Sequence, residues 1–312
     1  MKGPLFYSKI LLFGEYGIIK DSKGLSIPYN FYNGALKVDE NPSEESKKSN
    51  ASLRKFVSYL EQLEKDQPEL VTFNMSVLKA DVERGMYFDS SIPQGYGVGS
   101  SGALVAAIYD KYADNKITVL ENLTREKLLQ LKSIFSQMES FFHGKSSGLD
   151  PLNSYLSIPI LINSKDNIEA TGIPSQSTNG KGAVFLLDSG IVGETAPMVT
   201  IFMENLKDQG FRTMLKTQFI KHTDACVENF LGGDMKSLFE NTKKLSKVVL
   251  SNFKPMIPEA FHGIWQRGLD TNDYYLKLCG SGGGGYILGF TEDLEKARQS
   301  LKDYKLEVVY HF

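Results

Sequence analysis

The segment SIPQGYGVGSSG places Gly95, Gly97 and Gly99 directly ahead of Ser100, Ser101 and Gly102, and the helix-forming run ALVAAIYDKYA follows at once. Glycines let backbone N–H groups converge without side-chain obstruction, and a helix N-terminus adds about half a positive charge. Together they can cradle an anion, with two hydroxyls at the lip for phosphate or metal. The plainer reading is a loop whose glycines only serve tight turns. A Walker A loop would need Lys after Gly99, where Ser100 stands. The dinucleotide register Gly97-x-Gly99-x-x-Gly102 does match, but the expected acid about 20 residues on is missing from Lys116 to Leu120. A second glycine run, Gly280-Ser281-Gly282-Gly283-Gly284-Gly285, lies between the hydrophobic stretches YYLKLC and YILGF. A flexible linker seldom sits between two such stretches.

Three strings, in order, are similar to one known family. Pro93–Gly102 resembles the P-x-x-x-G-L-G-S-S-A phosphate motif of the GHMP kinase superfamily. Ser8–Gly17 (SKILLFGEYG) resembles that superfamily's N-terminal G-K-x-x-L-x-G-E-H segment, and Lys277–Gly285 (KLCGSGGGG) its C-terminal K-x-[ST]-G-A-G-G-G-G loop. Within the superfamily, ESFFHGKSSGLDP at Glu139–Pro151 is most similar to the mevalonate kinase string E-x-x-x-H-G-x-P-S-G-x-D. The chain departs from the pattern at Phe6-Tyr7-Ser8 (for A-P-G), Gly102, Ser146, Ser189 and Ser281, none of them a charged position.

The resemblance implies roles residue by residue. Gly95, Gly97, Val98, Gly99, Ser100, Ser101 and Gly102 would bind the nucleotide phosphates. Ser101 (or Ser100) and Glu139 would hold Mg²⁺, which prefers hard oxygen ligands. Asp150 would be the general base for the acceptor hydroxyl, a function that contributes about 10²–10⁴-fold, and Lys9 would lie against it. Glu15, His143, Gly148, Thr195, Gly280, Ser281 and Gly282 would border the acceptor. Each has a plainer reading: Asp150 as a helix cap before Pro151, Lys9 as a snorkelling strand lysine, Glu15 as a turn residue, Glu139 as a solvated helix-end carboxylate. His143 has no second ligand at metal spacing, which leaves a structural role or a substrate contact.

The elements that must position these groups follow from hydrophobic period. Phe6–Phe13 reads as a buried strand, Leu36–Val38 as the start of another, and residues 39–50 as a solvated loop. Leu53, Phe56, Val57, Leu60 and Leu63 mark a helix face, and Val71–Leu78 alternates as a strand does. Helices are expected after Gly102 and over Lys127–Phe142, the latter stopped by Gly144, Gly148 and Pro151. Leu156–Ile162 and Ala183–Leu187 read as strands, and Met203 to about Leu269 as a long helical region with Trp265 in its core. Strands at Tyr275–Cys279, Tyr286–Phe290 and Leu306–Tyr310 flank a helix at Leu294–Leu301.

Length and composition agree with this. The 312 residues are 41% hydrophobic and 23% charged, with net charge −2, which excludes a disordered chain and offers no basic nucleic-acid surface. Cys226 and Cys279 form neither a disulfide framework nor a zinc site, and no apolar run is long enough for a membrane span. The start lacks a signal-peptide pattern, so the expected location is the cytoplasm. The fold expected from the resemblance is two-lobed α+β. A ribosomal protein S5 domain 2-like lobe covers residues 1–180 and a ferredoxin-like lobe 181–312. The expected activity is ATP- and Mg²⁺-dependent phosphorylation of a small-molecule hydroxyl, that of mevalonate first. Another GHMP kinase (acting on phosphomevalonate or a sugar), or a non-catalytic ATP-binding regulator on the same scaffold, stands as the alternative. No nucleic-acid or membrane partner is expected, and a homodimer is allowed.

Overall fold

The computed structural model of the chain describes residues 4–39, 41–118, 123–177 and 180–312. They form α+β units built on two sheets. The described residues divide into two compact units that interleave in sequence: those within 1–9, 28–93 and 99–158 make the first, and those within 10–27, 94–98 and 159–312 the second.

Strand β1 (Phe6–Phe13) ends the first unit's opening segment and begins the second's, and β2 (Gly24–Lys37) is likewise divided. In the first unit β2 pairs antiparallel with β3 (Tyr87–Ser90), aligning Gly34 with Ser90 and Lys37 with Tyr87. The unit's helices are α1 (Glu44–Asp66), which packs against β3, and α2 (Met75–Glu83), α3 (Ser100–Tyr112), α4 (Arg125–His143) and α5 (Leu149–Leu156), which pack with α1 and with one another. Apolar positions three and four apart turn one face of each long helix inward. Phe56 and Leu60 of α1, Ile108 and Tyr109 of α3, Leu131 and Phe135 of α4 and Leu152 of α5 are all buried there. Tyr109 meets Phe135 and Tyr155 edge-on at 5.0 and 5.3 Å between ring centres, an arrangement that suits their quadrupoles.

In the second unit the Gly24–Ser26 end of β2 pairs with β4 (Ile160–Ser164), which pairs with β5 (Asn167–Ala170). A second, antiparallel sheet contains β6 (Ala183–Asp188), β7 (Tyr275–Leu278), β8 (Tyr286–Thr291) and β9 (Leu306–His311) in the order β7-β8-β6-β9. Its helices are α6 (Thr195–Asn205), α7 (Gln209–Met214), α8 (Lys221–Gly232), α9 (Met235–Asn252), α10 (His262–Thr271) and α11 (Leu294–Ser300). A π-helical turn at Leu215–Ile220 joins α7 to α8. Every residue of β7 and β8 is buried, Lys277 among them, and Trp265 is buried with its indole N–H on Ser246 Oγ at 2.8 Å. Among the described residues no helix is long and apolar enough to cross a membrane.

Four expectations need correction. Residues 44–50 are the first turns of α1, not loop: Ser43 Oγ accepts from Ser46 N at 3.1 Å, and Glu44 and Glu45 suit the positive end of the helix dipole. These turns are polar because they face water, so apolar period could not find them. Val71–Leu78 is not a strand. Val71 and Phe73 are buried in extended chain, and Asn74 then caps α2 through Val77 N at 3.2 Å. The strand expected from Leu156 begins only at Ile160, because α5 restarts the helix after Gly148 and runs through Leu156. The strand expected at Leu36–Val38 is the last part of β2, which starts at Gly24 and ends at Lys37.

Candidate active site

Two constellations contain the residues singled out by sequence, one in each unit. The first forms where the middle of β1 meets the first turns of α3 and α5 and the C-terminal part of α4. Lys9 on β1 is buried, and its ammonium lies 2.9 Å from Asp150 Oδ1 in the first turn of α5. Asp150 is held there by close backbone approach. A Cβ on Gly102 would sit 2.7 Å from the Asp150 carbonyl carbon, so a glycine is required where α3 crosses α5.

Ser101, in the first turn of α3, donates to Glu139 Oε1 at 2.9 Å, and its oxygen lies 3.0 Å from His143 Nε2. With the Ser101 proton committed to the carboxylate, that second contact asks His143 to donate from Nε2. Glu139 and His143 stand four residues apart on α4, one turn of helix, which aims both at the same hydroxyl. Ser146 donates to the other Glu139 oxygen and accepts from Gly148 N at 3.0 Å. Glu139 is buried, and its carboxyl is pushed up to about 7 by burial first and by the Asp150 charge second; the Ser146 and Ser101 hydrogen bonds and Lys9 pull it back. Ser100 opens α3 half-buried, Gly99 precedes it at φ 83°, and Gly148 caps α5 at φ 73°.

The second constellation is built on the turn after β1. Glu15 and Lys277 form a buried ion pair, and Lys277 Nζ also donates to the Leu278 carbonyl at 2.8 Å. Tyr16 donates to the Ser281 carbonyl at 2.6 Å, and Ser281 Oγ donates to Thr195 Oγ1, at the head of α6, at 3.3 Å. Gly280 and Gly282 lie in this loop. Gly95, Gly97 and Val98 belong to this unit as well. Val98 is buried, Gly95 accepts from Gly193 N at 2.9 Å, and a Cβ on Gly97 would stand 2.5 Å from the Cys279 carbonyl oxygen. Gly95 and Gly97 are therefore fitted to neighbouring backbone.

Lys9, Asp150, Ser101, Glu139 and His143 come together in one unit, and Glu15, Thr195 and Ser281 occupy the other. Three participants escaped the sequence reading of roles: Ser146, Tyr16 and Lys277. Ser146 was visible only as a departure from the Glu139–Pro151 string, and Lys277 as the first residue of the Lys277–Gly285 string. The buried lysine in an otherwise apolar strand, YYLKLC, was the available signal. Among the described residues no three of His, Cys, Asp and Glu gather as a metal cluster.

Residues 57–157 match the family described as GHMP kinases N terminal domain. No curated protein matches the chain. Solved structures similar over the whole chain include a Leishmania major mevalonate kinase in complex with R-mevalonate (17% identity, 100% of this chain and 99% of that one, TM-score 0.63). A Streptococcus pneumoniae phosphomevalonate kinase in complex with phosphomevalonate and AMPPNP shares 13% identity over 98% of this chain and 99% of that one, with TM-score 0.60. A Lactococcus lactis galactokinase complexed with galactose shares 11% over 98% and 92%, with TM-score 0.64.

Proposed function

We propose, with the GHMP kinase N-terminal domain of this chain and its GHMP kinase fold as the premise, that the protein is an ATP- and Mg²⁺-dependent kinase for a small-molecule hydroxyl, mevalonate before others. The observation that carries the reading is the set Lys9–Asp150 and Ser101–Glu139 within one unit: a carboxylate paired with an ammonium, and a second, buried carboxylate sharing a hydroxyl.

Phosphoryl transfer asks for positioning and charge stabilisation more than for covalent work by the protein. Asp150 takes the proton of the acceptor hydroxyl as that oxygen forms its bond to the γ-phosphorus and the bond to the ADP oxygen breaks. Lys9 orients the Asp150 carboxylate and balances its charge. The Ser101 hydroxyl and the Glu139 carboxylate are hard oxygen donors converging at 2.9 Å, and they fit Mg²⁺, which uses one or two protein oxygens and fills its shell with water and phosphate. When bound, the metal supplies positive charge against the phosphate oxygens. Ser146 and His143 hold that donor pair in register from either side.

Mevalonate is placed first because Glu139, His143, Gly144, Gly148 and Asp150 repeat the mevalonate kinase string, and because a mevalonate kinase bound to R-mevalonate is among the structures of the same fold. Location in the cytoplasm is part of the same proposal. The test is ADP release from the purified protein with Mg·ATP and a panel of mevalonate, phosphomevalonate, galactose and homoserine. Turnover with mevalonate alone is the expected result. Turnover with another acceptor keeps the kinase and replaces the substrate, and none with any of the four overturns the reading.

A further inference from the structure

Tyr16 has φ 59° and ψ −38°, a left-handed backbone that bulky side chains rarely adopt. Such a conformation persists only where the surroundings over-determine it. They do so here from two sides. The ring, 7% exposed, lies 4.6 Å from Phe202 of α6 and 6.1 Å from Phe253, centre to centre. The hydroxyl donates to the Ser281 carbonyl at 2.6 Å. Burial, and then the Glu15 charge, push the phenol well above the usual tyrosine range, so it remains a donor at any ordinary pH.

The neighbouring peptides of the glycine loop are tied by backbone partners. Gly283 N donates to the Met256 carbonyl at 2.7 Å, Gly285 N to Ile191 at 2.5 Å, and Gly285 O accepts from Ser189 N at 3.1 Å. The Ser281–Gly282 peptide is tied by a side chain instead. Of the two residues that bound it, Gly282 has positive φ and no Cβ to resist rotation, and Gly280, one residue before Ser281, has positive φ as well. In a trans peptide the C=O and N–H point to opposite sides, so holding the Ser281 carbonyl also decides where the Gly282 N–H points.

We propose that Tyr16 is the positioning residue of the Gly280–Gly285 loop: its hydroxyl holds the Ser281–Gly282 peptide in one orientation, and its ring anchors that hold to Phe202 of α6. The successive residues Glu15 and Tyr16 then grip the two ends of one segment, Lys277 on β7 and Ser281 in the loop. Only the kinetic part of the test rests on the kinase reading.

The experiment compares hydrogen exchange of the ligand-free wild-type protein with Tyr16→Phe, which keeps the ring, and with Phe202→Leu, which keeps the hydroxyl. Exchange in peptides covering residues 279–285 should rise about ten-fold in Tyr16→Phe, with α8 and α9 unchanged. Phe202→Leu should leave residues 279–285 well below that. In the acceptor assay, a loop only partly populated in its competent orientation should raise KM about five-fold with kcat nearly constant. Unchanged exchange at 279–285, an equal rise in Phe202→Leu, or a Tyr16→Phe chain that does not fold would each overturn the local role. A wild-type protein without turnover would defeat the kinase reading and leave the exchange result to judge this one.

Discussion

The Lys9 ammonium lies 2.9 Å from the Asp150 carboxylate, with the lysine side chain 4% exposed and the aspartate 36%. A buried cation thus faces a carboxylate that solvent and small molecules can reach. This asymmetry suits a group that must exchange a proton with a bound partner while its counter-charge stays in place.

Asp150→Asn keeps the shape of the first turn of α5 and removes the carboxylate proposed to accept the proton. Turnover should fall by about 10²-fold or more, while ATP binding followed by calorimetry stays within a few-fold of wild type. A variant with near-normal kcat would remove Asp150 from the reaction.

Glu139 holds its proton more tightly folded than unfolded, because its carboxyl is raised from 4.5 to about 7. Between those values the folded state binds more protons, so this group's contribution to stability falls as pH rises through the window. Glu139→Gln mimics the protonated form and does not titrate. Relative to it, the wild type should lose about 2–3 kcal/mol between pH 5 and 8 in denaturant melts. A difference independent of pH would contradict the burial argument.

Ser146→Ala removes the donor to one Glu139 oxygen and leaves the Ser101 bond to the other. The carboxylate should then rotate more freely, and the Mg²⁺ concentration needed for half-maximal activity should rise about ten-fold, in the range seen for outer-shell partners of metal ligands. An unchanged magnesium titration would show that Ser146 only shapes the turn before α5.

Lys277→Met removes the ammonium that pairs with the buried Glu15 carboxylate. Breaking one side of such a pair costs about 3–5 kcal/mol, whereas replacing both sides can be nearly neutral. Lys277→Met combined with Glu15→Gln should therefore recover most of the stability lost in the single variant, measured by urea unfolding. Equal losses in the single and double variants would mean that Lys277 contributes through its alkyl stem.

Much of this molecule was legible in the residues themselves. The helices at Leu53–Leu63 and Lys127–Phe142 appear as expected because their apolar positions recur with the helical period and one face is buried. The strands at Ala183–Leu187 and Tyr286–Phe290 are continuous apolar runs, and Phe6–Phe13 is mostly apolar around Ser8 and Lys9, which suits strands covered on both faces. Elements whose formation depends on caps or on partners were hidden: the polar start of α1 behind Ser43, α2 behind Asn74, and most of β2, whose composition is mixed because its neighbours change along its length.

The candidate chemistry divides the same way. By itself the sequence determined which charged and hydroxyl groups are present, and in which local strings: Ser101 opening a helix, Glu139 and His143 one turn apart, Asp150 after Gly148. Those are properties of short windows, where backbone geometry follows from residue type. The resemblance already implied Lys9 against Asp150, and only the tertiary structure decided that Ser146 completes the hold on Glu139 and that Glu15 and Tyr16 reach Lys277 and Ser281. Most of these pairs lie far apart in the chain, and whether a buried charge finds its partner depends on which faces the core brings together, not on the spacing of the residues along the chain.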